Sequence, residues 1–260
     1  MADVAIRLSN GVLVATLRRA EARNALRRET LDLLLQACET TSADPKVRAL
    51  LIRAEGKAFC AGADLQEWAE AEAQGTLETY GWTERARRLV LSLRALQKPT
   101  IAAIQGAAVG AGADLAFACD FRLMAAGASL RAGYLGMAYS PDMGGAWLVP
   151  RLIGEARAKG YFLRNDKLDA ESALQWGLAH EVMPDDAFDA HAYAFAQTLA
   201  DGPTIALGLT KHLIQTSRER TLDTHLVEEE AKAKVCGRSH DAGEALDAAI
   251  ARRAPQFQGR

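Results

Sequence analysis

The chain has no excess of charge of one sign. Lys and Arg total 31, Asp and Glu total 33, and the two signs are interspersed to a net charge of −2. Without a one-sided basic field, no nucleic-acid partner is expected. No apolar run is long enough for a membrane span, so no membrane role is expected. The opening "MADVAIRLSNGVLVATL" alternates polar and apolar residues, unlike a signal-peptide core. Cysteine is scarce: Cys38, Cys60, Cys119 and Cys236 show no CxxC spacing and no cluster with His. This pattern fits neither a disulfide framework nor a metal site, and predicts reduced thiols in a cytoplasmic protein. The nucleotide pattern GxGxxG fails because Leu115 stands where a third Gly belongs after Gly110 and Gly112. GxxxxGK[ST], GxSxG and HExxH are absent too. His180 and His212 are expected to be packing or surface residues.

What the sequence does contain is an ordinary globular composition, 49% hydrophobic and 25% charged. Residues 3–17 predict two strands around the turn "SNG". Residues 28–41 predict a helix from Leu31, Leu34, Leu35 and Cys38. "VRALLIRA" and "FRLMAA" read as strands, with a further strand at "AHEVM". "TIAAIQGAAV" begins as a strand and ends in small residues. "ADLQEWAEAEAQ", "TERARRLVLSLRALQ" and "GADLAFACD" read as helices. Helical patterns dominate after residue 145, and residues 201–260 look wholly helical, with a ragged end at Gln256–Arg260. The expectation is an α/β core over 1–200 and a helical C-terminal region over 201–260.

Two segments carry chemistry: "GKAFCAGADL" (56–65) and "IQGAAVGAGADL" (104–115). Each runs from a predicted strand through tiny residues into a helix, and each ends in "AGADL". Small side chains let a ligand approach the backbone. The first amides of a helix lack intrahelical partners and sit at the positive end of its dipole. Two such turns facing one another could hold one oxygen between two N–H donors. Taken singly, either turn is as well explained by close helix–strand packing.

With these blocks, "RNAL" (23–26) and "PDMGGAWLVPRLIG" (141–154), the chain resembles the enoyl-CoA hydratase/isomerase family, the crotonase superfamily. The resemblance covers essentially the whole chain. It implies a spiral of ββα units, C-terminal helices that support a homotrimer or a dimer of trimers, and an acyl-CoA substrate. Coenzyme A belongs to that substrate; no separate cofactor and no metal is implied. The thioester oxygen would be held by the N–H groups of Ala63 and Ala111, the second often Gly in the family. Ala22, Arg23 and Ala61 would line the CoA path, with Asp64 and Leu65 continuing that surface. Arg252 or Arg253 could meet CoA phosphates.

The carboxylates then divide the possible reactions. Hydratases of the family resemble one another in using two glutamates. Here those positions hold Asp114 and Tyr134, and a phenol cannot replace a carboxylate base near neutral pH. The resemblance assigns Asp142 of "PDMGG" to the subset in which one Asp moves a proton between the α- and γ-carbons. That subset includes ring-epoxide isomerase-like members and some Δ3,Δ2-enoyl-CoA isomerases. The expected reaction is therefore double-bond isomerisation, with Asp142 as shuttle. Hydration by Asp114 with Asp142, a nucleophilic Asp142, and a non-catalytic acyl-CoA-binding subunit are the alternatives. Plain structural roles compete at each site. Asp142 could cap the helix starting near Gly144, Asp64 could cap its own helix, and Asp114 could complement a helix dipole. Tyr134 could donate a hydrogen bond or simply pack, and Cys60 is expected to pack. Trp68, Tyr80 and Trp82 lie where the family places an acyl-pocket wall, and core packing is the alternative for each.

Overall fold

The computed structural model describes residues 2–76 and 80–260. The chain opens with a hairpin, β1 (Val4–Ser9) and β2 (Val12–Leu17), turned at Asn10 and Gly11, both at positive φ. That pair of left-handed residues matches the twist of a two-residue hairpin turn. Helix α1 (Arg28–Ala43) buries Leu31, Leu34, Leu35 and Cys38, one stripe at helical spacing. Three similar strand pairs follow. They are β3 (Ala49–Ala54) with β4 (Ala58–Cys60), β5 (Thr100–Ile104) with β6 (Ala107–Val109), and β7 (Phe121–Ala125) with β8 (Ser129–Arg131). Helices α2 (Leu65–Ala73) and α3 (Trp82–Ala95) follow the first pair, and α4 (Ala111–Ala118) follows the second.

In each pair the first strand joins one sheet and the second joins another. The larger sheet runs β1-β2-β3-β5-β7-β10, the last strand being Glu181–Met183. The smaller runs β4-β6-β8-β9, its edge being Leu168–Asp169. Both are parallel except for β1–β2 and β8–β9. Every residue of β5 is buried, as expected of a central parallel strand covered on both faces. This repeated step from sheet to sheet is the expected ββα spiral. Helices α5 (Gly145–Ile153), α6 (Glu155–Arg164), α7 (Ala170–Trp176) and α8 (Phe188–Ala200) surround the spiral. Beyond them come α9 (Thr204–Thr216), α10 (Leu222–Cys236) and α11 (His240–Ala251).

Two expectations need correction. The sequence reading passes over the second sheet, because its strands are two or three residues long and largely built of small residues. The end of the chain is not ragged. Buried Asp241 accepts N–H bonds from Gln258 at 2.7 Å and Gly259 at 2.8 Å, and its own amide donates to the Arg260 carbonyl at 3.0 Å. A charged acceptor facing two amides makes each bond stronger than a neutral one, which ties the tail down.

Candidate active site

The two small-residue turns meet at adjacent edges of β4 and β6. A methyl group on Gly62 would lie 2.8 Å from the Val109 carbonyl and 3.5 Å from the Ala111 nitrogen. One on Gly112 would lie 2.4 Å from the Cys60 carbonyl. Glycine is required at both for the turns to touch backbone to backbone. Ala63 pairs with Leu26 in a parallel bridge: the Gly62 carbonyl and the Asp64 amide both bond Leu26. Successive peptides alternate, so the Ala63 N–H points away from Leu26. Ala111 is the first residue of α4, where an amide has no intrahelical acceptor. Among the described residues neither amide has a protein acceptor. Such a pair can take up an oxygen that gains negative charge.

Ala63 and Ala111 line a cleft of about 600 Å³ together with Ala61, Asp64, Leu65, Tyr134 and Asp142. Trp68, Tyr80 and Trp82 form an aromatic wall, joined by Tyr139, whose ring meets Trp68 edge-on at 4.8 Å. Ala22 and Arg23 do not line the cleft, but the Arg23 carbonyl accepts from the Ala61 amide at 3.0 Å, placing that segment beside it. Arg252 and Arg253 are not brought to the cleft; Arg253 pairs with Glu244 at 2.6 Å. Glu84, in the first turn of α3, also lines the cleft and was not singled out in the sequence. An acid in a first turn has no signature beyond complementing the dipole.

The carboxylates are held very differently. Asp64 caps α2 through the amides of Gln66 and Glu67, and Arg19 binds it at 2.7 Å. Burial pushes its carboxyl up, but Arg19 and the two amides outweigh this and hold it below its ordinary value. Asp142 does not cap α5: the N-cap is Gly144, at φ 90°, which has no side chain to cap with. Asp142 keeps an exposed edge, yet the surrounding wall desolvates the carboxyl and pushes it up, against its own amide and the Tyr134 hydroxyl.

Asp114 is only 1% exposed, on a helix buried along its whole length. Its Oδ2 accepts the Tyr134 hydroxyl at 2.6 Å and the Gly145 amide at 3.0 Å. The carboxylate thus satisfies the first N–H of a different helix, α5. This dipole role toward α5 adds to the expected one, since Asp114 also stands in the first turn of its own helix. Burial pushes Asp114 up to about 7, against those two hydrogen bonds, and the nearby Asp142 adds to the rise. A methyl on Gly145 would lie 2.1 Å from Asp114 Oδ1, so this clamp requires glycine there. Gly145→Ala is expected to destabilise the protein by about 1–3 kcal/mol through overpacking, measured by urea unfolding.

The pH dependence of this clamp has a definite sign. The folded value lies above the ordinary 3.8, so the group's contribution is complete below about 3.8 and is lost as pH rises through about 7. Asp114→Asn, neutral throughout, removes that slope. Its unfolding free energy relative to wild type should improve by a few kcal/mol between pH 4 and pH 8. Parallel stability curves for the two proteins would contradict the ionisation assigned to Asp114.

His180 is a surface residue packed on Phe121, one of the two roles expected of it, and its Nδ1 accepts the Arg122 amide at 3.2 Å. His212 pairs with Glu228 at 2.9 Å. Cys60 is buried, and burial pushes its thiol up to about 12, so it is an inert packing residue. Among the described residues no group of His, Cys, Asp and Glu gathers in a metal-binding arrangement, and no helix is long and apolar enough to cross a membrane.

This architecture, with adjacent backbone amides facing an aromatic-walled cleft, defines the class. The chain belongs to the enoyl-CoA hydratase/isomerase family, whose sequence model matches residues 7–260. It is 37% identical to the 1,2-epoxyphenylacetyl-CoA isomerase of Escherichia coli K12 over 255 residues, 97% of each chain. It is 31% identical to the 2,3-dehydroadipyl-CoA hydratase of the same organism over 262 residues, covering 100% of each. Among solved structures, an enoyl-CoA hydratase/isomerase of Mycobacterium abscessus superposes with a TM-score of 0.94 at 36% identity, over 99% of this chain and 100% of that one. Relatives with isomerase and hydratase names stand side by side, so the reaction has to be argued from the site.

Proposed function

We propose that the protein isomerises the double bond of an enoyl-CoA through a thioester enolate. The amides of Ala63 and Ala111 hold the thioester oxygen, and Asp142 carries the proton from the α-carbon to the γ-carbon. The observation that carries this reading is how the carboxylates are distributed. Asp64 is taken by Arg19 and its own helix, and Asp114 by Tyr134 and α5. Asp142 faces the cleft with a raised proton affinity and no cation against it among the described residues. A base of raised pKa is better matched to returning the proton it has taken. Hydration needs a second carboxylate at the reacting face, where Tyr134 stands. Besides Asp64 and Asp142, Glu84 lines the cleft, on an exposed turn.

A single shuttle makes a specific demand. With 3-enoyl-CoA deuterated at the α-carbon, in ordinary water, part of the deuterium should appear at the γ-carbon of a product of unchanged chain composition. A product heavier by one water would overturn the reading. A second reading concerns the acyl group alone. The aromatic wall of Trp68, Tyr80, Trp82 and Tyr139, together with the epoxyphenylacetyl-CoA isomerase relative, supports a ring-bearing acyl group. The expected homotrimer, or dimer of trimers, is supported by apolar side chains left exposed on the C-terminal helices, among them Ile214, Leu222, Val227, Leu246 and Ile250. A cytoplasmic location is consistent with four unpaired cysteines.

A further inference from the structure

We propose that Tyr134 is a positioning residue that couples Asp114 to Asp142, delivering its single hydroxyl proton to one carboxylate or the other and so setting how strong a base Asp142 is. This rests on the reading of Asp142 as the proton carrier. The geometry is a chain of three groups from three elements. Asp114 comes from α4, Tyr134 from the short 3-10 turn Tyr134–Met137, and Asp142 from the loop before α5. The phenol oxygen lies 2.6 Å from Asp114 Oδ2, and Tyr134 and Asp142 line the same cleft, where the hydroxyl lowers the proton affinity of the Asp142 carboxyl against the burial that raises it. The turn that presents it is pinned. The Gly133 amide donates to Asn165 Oδ1 at 2.6 Å, and a methyl on Gly133 would lie 2.7 Å from Val109. Tyr134 thus cannot drift from the second small-residue turn.

A phenol has one proton to donate. While Asp114 is ionised it holds that proton, and Asp142 has neither the donor nor relief from a second negative charge. Both effects strengthen Asp142 as a base. Once Asp114 is protonated, Tyr134 is free to donate to the Asp142 carboxylate, which becomes the weaker base. Asp114 lies under the surface and does not need to touch substrate for this. Its burial puts its own titration near 7, where the switch would act. The titratable groups facing the pair are few. Burial raises the Tyr161 hydroxyl of α6, and the charge of Asp114 adds to the rise, keeping it neutral. The Cys60 thiol beneath Gly112 is neutral as well. Glu84 stands on the cleft wall, and no Lys, Arg or His acts on either carboxyl among the described residues.

The test reads the carboxyls themselves, so it does not depend on the substrate. In protein labelled with ¹³C at the Asp carboxyl carbons, the wild-type Asp142 signal should titrate in two steps, the second coinciding with the Asp114 step. Asp114→Asn should lose the second step. Tyr134→Phe, which keeps the ring and Asp114, should reduce it to the smaller through-space remnant and shift the Asp114 step to higher pH. A single-step Asp142 titration in wild type would overturn the proposal. So would a second step of full size in Tyr134→Phe, which would make the coupling purely electrostatic. Conversion of 3-enoyl-CoA by the same wild-type sample is scored separately. Loss of coupling with intact conversion would remove this inference alone. Coupling without conversion would remove the isomerase reading and leave the pair standing.

Discussion

Asp142→Asn should lower isomerisation of a 3-enoyl-CoA by about 10³–10⁴-fold while leaving KM within a few-fold of wild type. Asn matches the shape of Asp but cannot accept the α-proton. General acid–base catalysis contributes roughly 10²–10⁴-fold, and a residue doing both proton transfers belongs at the upper end. That loss corresponds to about 4–5.5 kcal/mol of transition-state stabilisation. KM should hold because no step of CoA binding is assigned to Asp142. In wild type, kcat/KM should rise with pH through an ionisation above the ordinary carboxylate range, since desolvation raises Asp142. Retention of activity within about tenfold would move the proton carrier elsewhere on the wall, with Glu84 the next group to test.

Ala111→Pro should lower turnover by about 10²–10³-fold with the fold intact. Ala111 is the first residue of α4, the one helical position where proline costs little, because its amide has no intrahelical acceptor. The preceding Gly110 has φ 56° and ψ −126°, away from the α-region that a following proline disfavours. The substitution therefore keeps the helix, removes one N–H from the cleft and puts a ring methylene where that hydrogen pointed. Losing one oxyanion donor in other enzymes costs about 2.7–4 kcal/mol in turnover. A Tm close to wild type beside an activity loss of that size would place the reacting oxygen at the Ala111 nitrogen. An active Ala111→Pro would exclude it.

Part of this was legible in the sequence because it is local. The stripe of Leu31, Leu34, Leu35 and Cys38 gives α1 by spacing alone, and "SNG" gives the hairpin. The two "AGADL" turns could be placed at strand-to-helix junctions from their residues, and their joint meaning came with the family resemblance. The strands β4, β6 and β8 were missed because three residues cannot establish a period. The clamp on α5 joins Asp114 to Gly145, 31 residues away, and Arg19 reaches Asp64 across 45. No spacing rule reports such pairs. Capping seemed a plain alternative role for Asp142 because Pro-Asp before a helix signals a cap. In the fold the first amide of α5 bonds a carboxylate from another helix, Asp114, and Asp142 lines the cleft. The tail from Gln256 likewise has no local signal of order, because Asp241, which holds it, lies 17 and 18 residues before its partners Gln258 and Gly259.

The central claim is one-carboxylate isomerisation rather than two-carboxylate hydration. The most direct measurement follows mass and absorbance together when the wild-type protein meets paired 3-enoyl-CoA and 2-enoyl-CoA substrates. The account predicts that the 3-enoyl thioester becomes conjugated with no change in mass and that the 2-enoyl thioester gains no water. Gain of one water by the 2-enoyl substrate, abolished in Asp114→Asn, would contradict it and make Asp114 and Asp142 a hydrating pair.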